Sequence, residues 1–430
     1  MDYKFMHPAE QIVLTINRIY RKQMTTTSGG NLSIMDSDGN IWITPSGIDK
    51  GALTPADICQ VKPDGTVIGK YKPSVELPFH KLVYKTRPGV KAVVHAHSPS
   101  LVSYSLIRKI PNTKIIPTTE LVCGKVGIAK YEVPGSIELG EAIAAEIKKG
   151  FDVVIMENHG VVTCGTDLFD AFMKFETLER CATIDITSKL LGKAYPLTEE
   201  QIRLAEEKGK TMLGEFIPAE ISSKEKEIRN KMCTLIHRAY DQDLFSSTMG
   251  TFSERLSDNA FIITPYGKDR KHLEPQDLVR VENGWREAGK RPSRSATLHK
   301  MIYEAHPEFN AVVVAQPTNI LAFGITRKEI DSRTIPESYI KIRDLVRLPY
   351  GTNITNPEKV VNSLSDKHPV ILIENDSVIA VGRTLIEAFD ALEVVEFTAN
   401  TLIHGGLLGE IVKITDKEVD AINKAFNIEP

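Results

Sequence analysis

The chain has 430 residues, which is enough for two or three domains that each bury a core. A net charge of −3 and the lack of any basic run in the sequence argue against a nucleic-acid partner. No stretch approaches the ~18 apolar residues that span a bilayer, and the first residues lack the apolar core of a signal peptide. The five cysteines are scattered and odd in number, so we expect reduced thiols in a cytoplasmic protein rather than disulfides or a cysteine zinc site.

The first predicted element is a helix over residues 9–20, whose apolar residues recur at helical spacing. Two turns that contain glycine follow it. The turn at residues 28–31 precedes a predicted strand, and the turn at residues 44–47 follows one. Glycine lets backbone N–H groups approach an anion, and serine and asparagine side chains add donors. Taken alone, each residue of these turns fits an ordinary turn equally well, so the turns by themselves do not establish an anion site.

A short apolar strand at residues 92–96 leads into His95-Ala96-His97. Side chains in a strand alternate between its two faces, so His95 and His97 can present two imidazoles to one point. That pair supplies half of a tetrahedral zinc site. Histidine pairs also occur on solvated strands, so the pair alone does not decide between a metal site and a surface strand.

Two further residues strengthen the metal interpretation. A buried strand over residues 153–156 ends at a turn that contains His159, and Glu76 lies just before a predicted helix. Three neutral imidazoles with one open position make a catalytic zinc site, and a nearby carboxylate can be a fourth ligand or a general base. Two structural interpretations stay open: Glu76 as a neighbour of the helix N-cap, and His159 as a turn histidine bonded to backbone.

In this order, the motifs resemble the class II aldolase/adducin family, whose enzymes include L-fuculose-1-phosphate aldolase. The resemblance covers roughly residues 8–190 and depends on the following stretches: Ser28–Ser33, Ile43–Ile48, Pro73–Glu76, His95–His97 and Asn158–Gly160. It implies an α/β/α fold with an antiparallel sheet and a divalent metal, usually zinc. It also implies His95, His97 and His159 as the metal ligands, and Glu76 as the acid/base that touches the metal.

The resemblance extends to a phosphate pocket. In the aldolases that resemble this chain, the two glycine-bearing turns and a serine before the glutamate hold the substrate phosphate. By position, these residues are Ser28, Asn31, Ser46, Gly47 and Ser74. Where the aldolases tend to have a second serine before the glutamate, this chain has Val75, so we expect weaker phosphate binding or a different anionic group.

The sequence then repeats itself. The offset from His95 to Val314 and from Glu76 to Ser295 is 219 residues, and that from His159 to Asp376 is 217 residues. Gln316 falls at the position of His97. Valine has no ligand atom, and glutamine and aspartate are poor substitutes on zinc, so the second copy has lost the metal site. A long amphipathic helix is predicted to close each half, over residues 168–191 and 385–403, with a charged, helix-favouring linker over residues 199–231 between the halves.

We therefore predict two tandem α/β/α domains, residues 1–215 and 216–430, each with a central, mostly antiparallel sheet flanked by helices. One zinc ion is expected per chain, although another divalent metal stays open. Family enzymes form cyclic tetramers in which a neighbouring tyrosine donates a proton. Residues 116–121 contain no tyrosine, but the matching segment of the second copy contains Tyr339.

We expect the second domain to lend Tyr339 to the metal of the first, with a homo-dimer or higher homo-oligomer forming a pseudo-tetrameric ring. The alternative is that Tyr339 is a core or surface aromatic and that the second domain is only a scaffold.

The predicted function is a zinc-dependent lyase that cleaves a small ketose 1-phosphate, a phosphorylated sugar, into dihydroxyacetone phosphate and an aldehyde. Zinc would polarise the carbonyl and stabilise the enediolate, and Glu76 would move the proton on the carbanion carbon. Four alternatives stay open: a decarboxylase, a dehydratase, a 4-epimerase, or an adducin-like interaction protein without catalysis. The epimerase is the weaker of these, because residues 116–130 contain no matching aspartate.

Overall fold

The computed structural model describes residues 5–209 and 213–428. The chain forms two compact units. Of the described residues, the first unit comprises those up to Thr113 together with Thr118–Thr183, and the second comprises Lys114–Pro117 and those from Ile184 onward. The domain limits predicted from the sequence, 1–215 and 216–430, stay a prediction, since compactness in the folded chain does not show which segments fold by themselves.

Eight strands form the sheet in the described part of the first unit. Their bounds are β1 Asn31–Met35, β2 Ile41–Ile43, β3 Cys59–Val61, β4 Val67–Ile68, β5 Ala92–Ala96, β6 Val126–Ala129, β7 Val153–Met156 and β8 Val161–Gly165. The spatial order is β4-β3-β2-β1-β5-β8-β7-β6. All neighbouring strands are antiparallel except β6 and β7, which are parallel.

Helices flank this sheet. Their bounds are α1 Pro8–Arg21, α2 Leu77–Thr86, α3 Pro99–Leu106, α4 Pro117–Cys123, α5 Ile137–Lys148 and α6 Leu168–Leu191. Helix α1 contains the helix predicted over residues 9–20. It begins with a proline, which has no N–H group to satisfy, and a capping box bonds the neighbouring N–H groups. Ile12, Ile16 and Ile19 recur at helical spacing along α1, and all three are buried.

The core of the first unit explains why strands β5, β7 and β8 are mostly apolar. Helices α2 and α5 bury Phe79, Val83 and Ile143 against Val93 of β5 and Val154 of β7. Strands β5, β7 and β8 are buried along their whole length, which is typical of strands covered on both faces. The end of β5 is thereby held rigidly, and this is where the histidine pair lies.

Nine strands form the sheet in the described part of the second unit. Their bounds are β9 Glu215–Phe216, β10 Thr251–Ser257, β11 Ala260–Ile263, β12 Val279–Glu282, β13 Trp285–Glu287, β14 Ala311–Ala315, β15 Val346–Leu348, β16 Val370–Ile373 and β17 Ser377–Gly382. The helices are α7 Glu199–Glu207, α8 Ser223–Asp241, α9 Ala296–Ala305, α10 Thr318–Thr326, α11 Pro336–Ile342, α12 Thr352–Thr355, α13 Pro357–Asn362, α14 Leu385–Leu408 and α15 Asp416–Phe426.

The two sheets confirm the duplication. The order β15-β16-β17-β14-β10-β11-β12-β13 repeats that of β6-β7-β8-β5-β1-β2-β3-β4, and β9 adds one strand at the edge. The registers agree as well: Asn31 pairs with His95 in the first sheet, and Thr251 pairs with Val314 in the second. Both units are thus mixed α/β bodies with a mostly antiparallel sheet, as predicted. Within the described residues, no helix has the length and apolar character needed to cross a bilayer.

Candidate active site

Three histidine side chains converge at the end of strand β5. His95 lies on β5, His97 follows the strand, and His159 lies in the turn between β7 and β8. The Nε2 atoms of His95 and His97 are 3.0 Å apart, and one ring nitrogen from each of the three lies within 4.8 Å of the others. Two nitrogens bound ~2.1 Å from one zinc ion at a tetrahedral angle would be about 3.4 Å apart. The three imidazoles are therefore spaced to hold one metal ion.

A hydrogen bond fixes the His95 ring on the side away from this cluster. Its Nδ1 donates to the backbone oxygen of Val161 at 2.9 Å, because a carbonyl oxygen can only accept. In neutral His95 the lone pair is therefore on Nε2, the nitrogen that faces the other two histidines. His95 is fully buried, while His97 and His159 are half-buried, so solvent and ligands reach the cluster from the side of those two.

The Glu76 carboxylate lies beside the three rings. Glu76 occupies the N-cap position of α2, but its side chain does not cap the helix. Its Oε2 lies 3.2 Å from His95 Nε2, and its Oε1 lies 3.6 Å from His159 Nε2. Among the described residues, Glu76 Oε1 and His159 Nδ1 are buried without a hydrogen-bond partner. A cation at the cluster would satisfy the carboxylate oxygen, so this donor set fits a divalent metal.

The pKa shifts favour neutral imidazoles beside an ionised carboxylate. Burial, followed by the charges of the neighbouring histidines, lowers the pKa of His97 to about 3 and that of His159 to about 4. Burial alone would raise the pKa of Glu76, but the charge of His95 and its hydrogen bond hold this pKa well below its usual value. Burial lowers the pKa of His95, but Glu76 outweighs burial and raises it. At neutral pH, His97 and His159 are therefore in the form that binds metal.

A buried chain of hydrogen bonds leads away from Glu76, and the sequence analysis missed most of it. Asn31 Nδ2 donates to Glu76 Oε2 at 2.6 Å, and Asn31 Oδ1 lies 2.5 Å from His80 Nε2. His80 Nδ1 lies 2.6 Å from Ser33 Oγ, which lies 2.6 Å from the Tyr84 hydroxyl. The signal that could have revealed His80 is the repeat itself, because His299 stands at the matching position of the second copy.

The structure brings the three predicted phosphate-binding segments together. Backbone hydrogen bonds join Ser46 N to the oxygen of residue 72 and Ser74 N to the oxygen of residue 44, and the N–H of residue 50 donates to the oxygen of residue 27. A Cβ atom on Gly29 would meet His97 Nδ1 at 2.9 Å, so only glycine lets the first turn lie against the histidine cluster. Ser28 and Gly47 are exposed, Ser46 is half-buried and Ser74 is buried.

Asn31 is placed differently from the other residues of this predicted pocket. It is buried, and its amide group already bonds Glu76 on one side and His80 on the other. Asn31 therefore holds the carboxylate in this structure. Any contact of its amide with a phosphate would have to compete with, or be shared with, these two hydrogen bonds.

The second unit has a different set of groups at the matching positions. In the part of the chain that the structure describes, only the first unit has a histidine and carboxylate cluster able to hold a metal. Asp376, at the position of His159, is half-buried and accepts hydrogen bonds from Asn353 and Ser377 at 2.7 and 2.9 Å. Its Oδ2 also lies 3.3 Å from the ammonium group of Lys208. This carboxylate thus pairs with the chain's own cation.

Tyr339, the predicted proton donor, lies on α11 in the second unit. It is half-buried, and its hydroxyl donates to Asn423 Oδ1 at 2.9 Å. The histidine cluster belongs to the first unit, so the catalytic role of Tyr339 stays a prediction.

Comparison with known proteins assigns the fold to a family. The family model described as the class II aldolase and adducin N-terminal domain matches residues 10–186 and again residues 230–403. The chain therefore belongs to the class II aldolase and adducin family, with two copies of the domain. Together with aldolase and decarboxylase relatives, this makes it an enzyme of the class II aldolase superfamily.

Two relatives and one solved structure illustrate the likeness. L-fuculose phosphate aldolase from Methanococcus maripaludis is 38% identical over 169 residues, which are 39% of this chain and 89% of the relative. 3-Oxo-tetronate 4-phosphate decarboxylase from Haemophilus influenzae is 32% identical over 206 residues, which are 47% of this chain and 97% of the relative. A solved L-fuculose 1-phosphate aldolase is 29% identical, with 47% of this chain and 96% of that chain covered and a TM-score of 0.43.

Proposed function

We propose that the chain is a zinc-dependent lyase that reversibly cleaves a small ketose 1-phosphate into dihydroxyacetone phosphate and an aldehyde. The convergence of the His95, His97 and His159 side chains beside the Glu76 carboxylate carries this proposal. Relatives that are L-fuculose phosphate aldolases make L-fuculose 1-phosphate the first substrate to test. We propose one zinc ion per chain, in the first unit of a cytoplasmic enzyme.

The three histidines would hold the zinc ion. A bound zinc ion supplies Lewis acidity toward a substrate carbonyl oxygen. Glu76 is ionised at neutral pH and lies beside the three rings, so in the direction of C–C bond formation its carboxylate is placed to take a proton from a carbon next to the carbonyl. The same carboxyl group returns the proton in the reverse direction.

The substrate phosphate would bind at the turns beside the cluster. Ser28, Ser46, Gly47 and Ser74 offer hydroxyl and backbone donors on segments that backbone hydrogen bonds tie together. Lys50 stabilises the second turn, because its buried ammonium group donates to the backbone oxygens of Pro45 and Ile48 at 3.0 and 3.1 Å. These contacts would fix the distance between the phosphate and the reacting carbons.

Product analysis with the full-length, zinc-loaded chain tests the proposal. L-fuculose 1-phosphate and other ketose 1-phosphates are supplied as substrates. The dihydroxyacetone phosphate formed is measured in a coupled enzymatic assay that reduces it. We expect turnover that Glu76→Gln lowers by about 10²-fold or more, because general-base catalysis is lost. Ser295→Ala, at the matching position of the second unit, is the control and should leave turnover unchanged. Absence of dihydroxyacetone phosphate from the whole panel would contradict the proposal.

Decarboxylation of a sugar-acid phosphate is a second candidate. A relative named as a 3-oxo-tetronate 4-phosphate decarboxylase is covered over 97% of its length, and Val75 departs from the serine that phosphate-binding aldolases tend to have. The same assay decides between the two reactions when 3-oxo-tetronate 4-phosphate is included and carbon dioxide is measured. Release of carbon dioxide without dihydroxyacetone phosphate would favour this candidate.

We also propose that Tyr339 completes the site as a proton donor in a homo-dimer or larger ring. The proposal depends on the position of Tyr339 in the second copy. Tyr339→Phe should lower turnover by about 10²-fold, the loss typical of a general acid, while the mass in solution stays that of an oligomer. Unchanged turnover in Tyr339→Phe, measured beside an inactive Glu76→Gln, would contradict this role.

A further inference from the structure

We propose that His80 is a positioning residue, which fixes the Glu76 carboxylate through Asn31 and is itself held by Ser33 and Tyr84. The inference rests on the proposed function insofar as Glu76 is the acid/base. His80 lies on α2 four residues after Glu76, so one turn of helix separates the two side chains. It is fully buried, and among the described residues both of its ring nitrogens make hydrogen bonds.

Each proton in this chain of hydrogen bonds has one consistent position. An ionised carboxylate can only accept, so the Asn31 amide turns its Nδ2 toward Glu76 and its Oδ1 toward His80. Oδ1 can only accept, so His80 carries its proton on Nε2. Burial lowers the pKa of His80 to about 3, so the ring is neutral and its Nδ1 is an acceptor. The Ser33 hydroxyl therefore donates to Nδ1, and the Tyr84 hydroxyl donates to Ser33.

Every hydrogen bond in this chain is donated in the direction from Tyr84 toward Glu76. The Glu76 side chain has three rotatable bonds, and one strong donor on Oε2 selects the rotamer that leaves Oε1 directed toward His159. His80 controls this donor, because the Asn31 amide is held in its orientation from the opposite end. Loss of the His80 proton donor would free the Asn31 amide to turn, and the carboxylate would lose its fixed position.

The second unit provides an internal control. Ser253 Oγ lies 2.7 Å from His299 Nδ1 and 2.6 Å from the Tyr303 hydroxyl. This triad of serine, histidine and tyrosine forms the same hydrogen bonds as the serine, histidine and tyrosine of the first unit. His299 is also fully buried, but its Nε2 has no hydrogen-bond partner among the described residues. Thr251 stands where Asn31 stands, and its hydroxyl bonds Ser293 instead. The triad alone is thus compatible with a unit that has no catalytic carboxylate. Among the described residues, the hydrogen bonds continue from the triad to a carboxylate in the first unit and not in the second.

Paired variants in the full-length, zinc-loaded chain test the inference. His80→Phe and His299→Phe each remove the histidine bond to the serine hydroxyl, and His80→Phe also removes the bond to Asn31, so both should lower the unfolding temperature, His80→Phe by more. Only His80→Phe should lower kcat, by roughly 10- to 100-fold, and shift the acid limb of its pH profile while KM changes little. His80→Gln places an amide N–H near the former Nε2 and should restore most of the lost kcat. Equal effects of the two Phe variants on kcat, or none from His80→Phe, would overturn the inference.

A crystal structure supplies a readout that does not depend on turnover. In His80→Phe, Glu76 Oε2 should leave Asn31 Nδ2, whereas an unchanged carboxylate position would contradict the role of His80. If His80→Phe does not fold, Asn31→Thr replaces it, because the second unit accommodates threonine at this register. It should displace Glu76 while leaving the triad intact. If the wild-type chain cleaves no ketose phosphate, the proposed function fails, but the position of Glu76 in these variants still decides the inference.

Discussion

The Nε2 atoms of His95 and His97 lie 3.0 Å apart, closer than two unprotonated ring nitrogens approach each other without a shared proton or cation. The backbone oxygen of Val161 accepts a hydrogen bond from His95 Nδ1, so in neutral His95 the lone pair stays on Nε2, the nitrogen that faces His97. A metal ion between the rings removes the repulsion between the lone pairs. The spacing therefore fits a cation between the two rings, as the proposed metal site requires.

Replacement of one histidine should abolish this metal site. We expect His97→Ala to lower the zinc content from about one ion per chain to well below one, because two imidazoles and a carboxylate hold zinc less firmly than three imidazoles with an adjacent carboxylate. Metal analysis after dialysis against a weak chelator measures the effect. Gln316→Ala, at the matching position of the second unit, should retain the full zinc content, and an equal loss in both variants would contradict a single site in the first unit.

The metal-free chain should become less stable as the pH falls below about 6.5. Burial, the largest cause in each case, lowers the pKa of His80, His97 and His299 to about 3 and that of His159 to about 4. The unfolded chain takes up these protons near pH 6.5, so the stabilising contribution is present above that pH and is lost toward pH 4. His95, whose pKa is raised, opposes the trend as a single group.

Urea unfolding at a series of pH values measures this dependence. The free energy of unfolding of the metal-free chain should decrease steadily from pH 7 to pH 4.5. The decrease should be smaller in His299→Phe, because this variant lacks one of the histidines whose pKa is lowered in the folded chain. A free energy that stays level or rises over this range would show that the histidines are accessible to protons in the folded chain.

The pair between Lys208 and Asp376 should stabilise the second unit without serving catalysis. Asp376 is half-buried, and among the described residues Lys208→Met would leave its carboxylate with the neutral donors of Asn353 and Ser377. Because the Lys208 side chain is partly exposed and those two bonds remain, we expect a loss of about 1–3 kcal/mol, below the 3–5 kcal/mol typical of a fully buried pair.

A second substitution makes this prediction specific. In Lys208→Met, Asp376→Asn the unpaired carboxylate charge is gone, so part of the lost stability should return. Thermal unfolding measures stability, and zinc content should equal that of wild type in both variants. Loss of zinc from Lys208→Met would place Lys208 in the metal site and contradict the assignment of that site to the first unit.

A side chain at position 160 should disturb the histidine cluster. A Cβ atom on Gly160 would lie 2.7 Å from both the backbone oxygen of Ala96 and the Cδ2 atom of His97, so one of them must move. Gly160→Ala should therefore weaken zinc binding by roughly 10- to 100-fold, as measured by competition with a chromophoric chelator. Ser377 stands at the matching position of the second unit, and Ser377→Ala should leave zinc affinity unchanged. Wild-type affinity in Gly160→Ala would mean that the rings are not held as closely as the structure shows.

The elements and the histidine cluster could be predicted because their signals are local. The alternation of side chains along β5, continued one residue past its end, places His95 and His97 together, and the repeated motifs with a near-constant offset predicted two copies of one fold. The predicted helix over residues 168–191 has the bounds of α6, and the one predicted over residues 385–403 continues five residues further in α14.

The contacts that hold Glu76 in place could not be predicted in this way. Asn31 and Glu76 are 45 residues apart in the chain, and only the folded sheet brings the Asn31 amide between Glu76 and His80. The resemblance to the aldolases implied a phosphate contact for Asn31 and gave no sign of these bonds. Likewise, no local pattern indicates that Lys208, which the sequence places in a linker, would pair with Asp376.

Titration of metal-free enzyme with zinc, while cleavage of L-fuculose 1-phosphate is followed, tests the central claim most directly. Activity should rise linearly and reach its plateau at about one zinc ion per chain. Full activity in the presence of excess chelator would contradict a metal-dependent lyase. A plateau at two zinc ions per chain would contradict a single site formed by His95, His97 and His159.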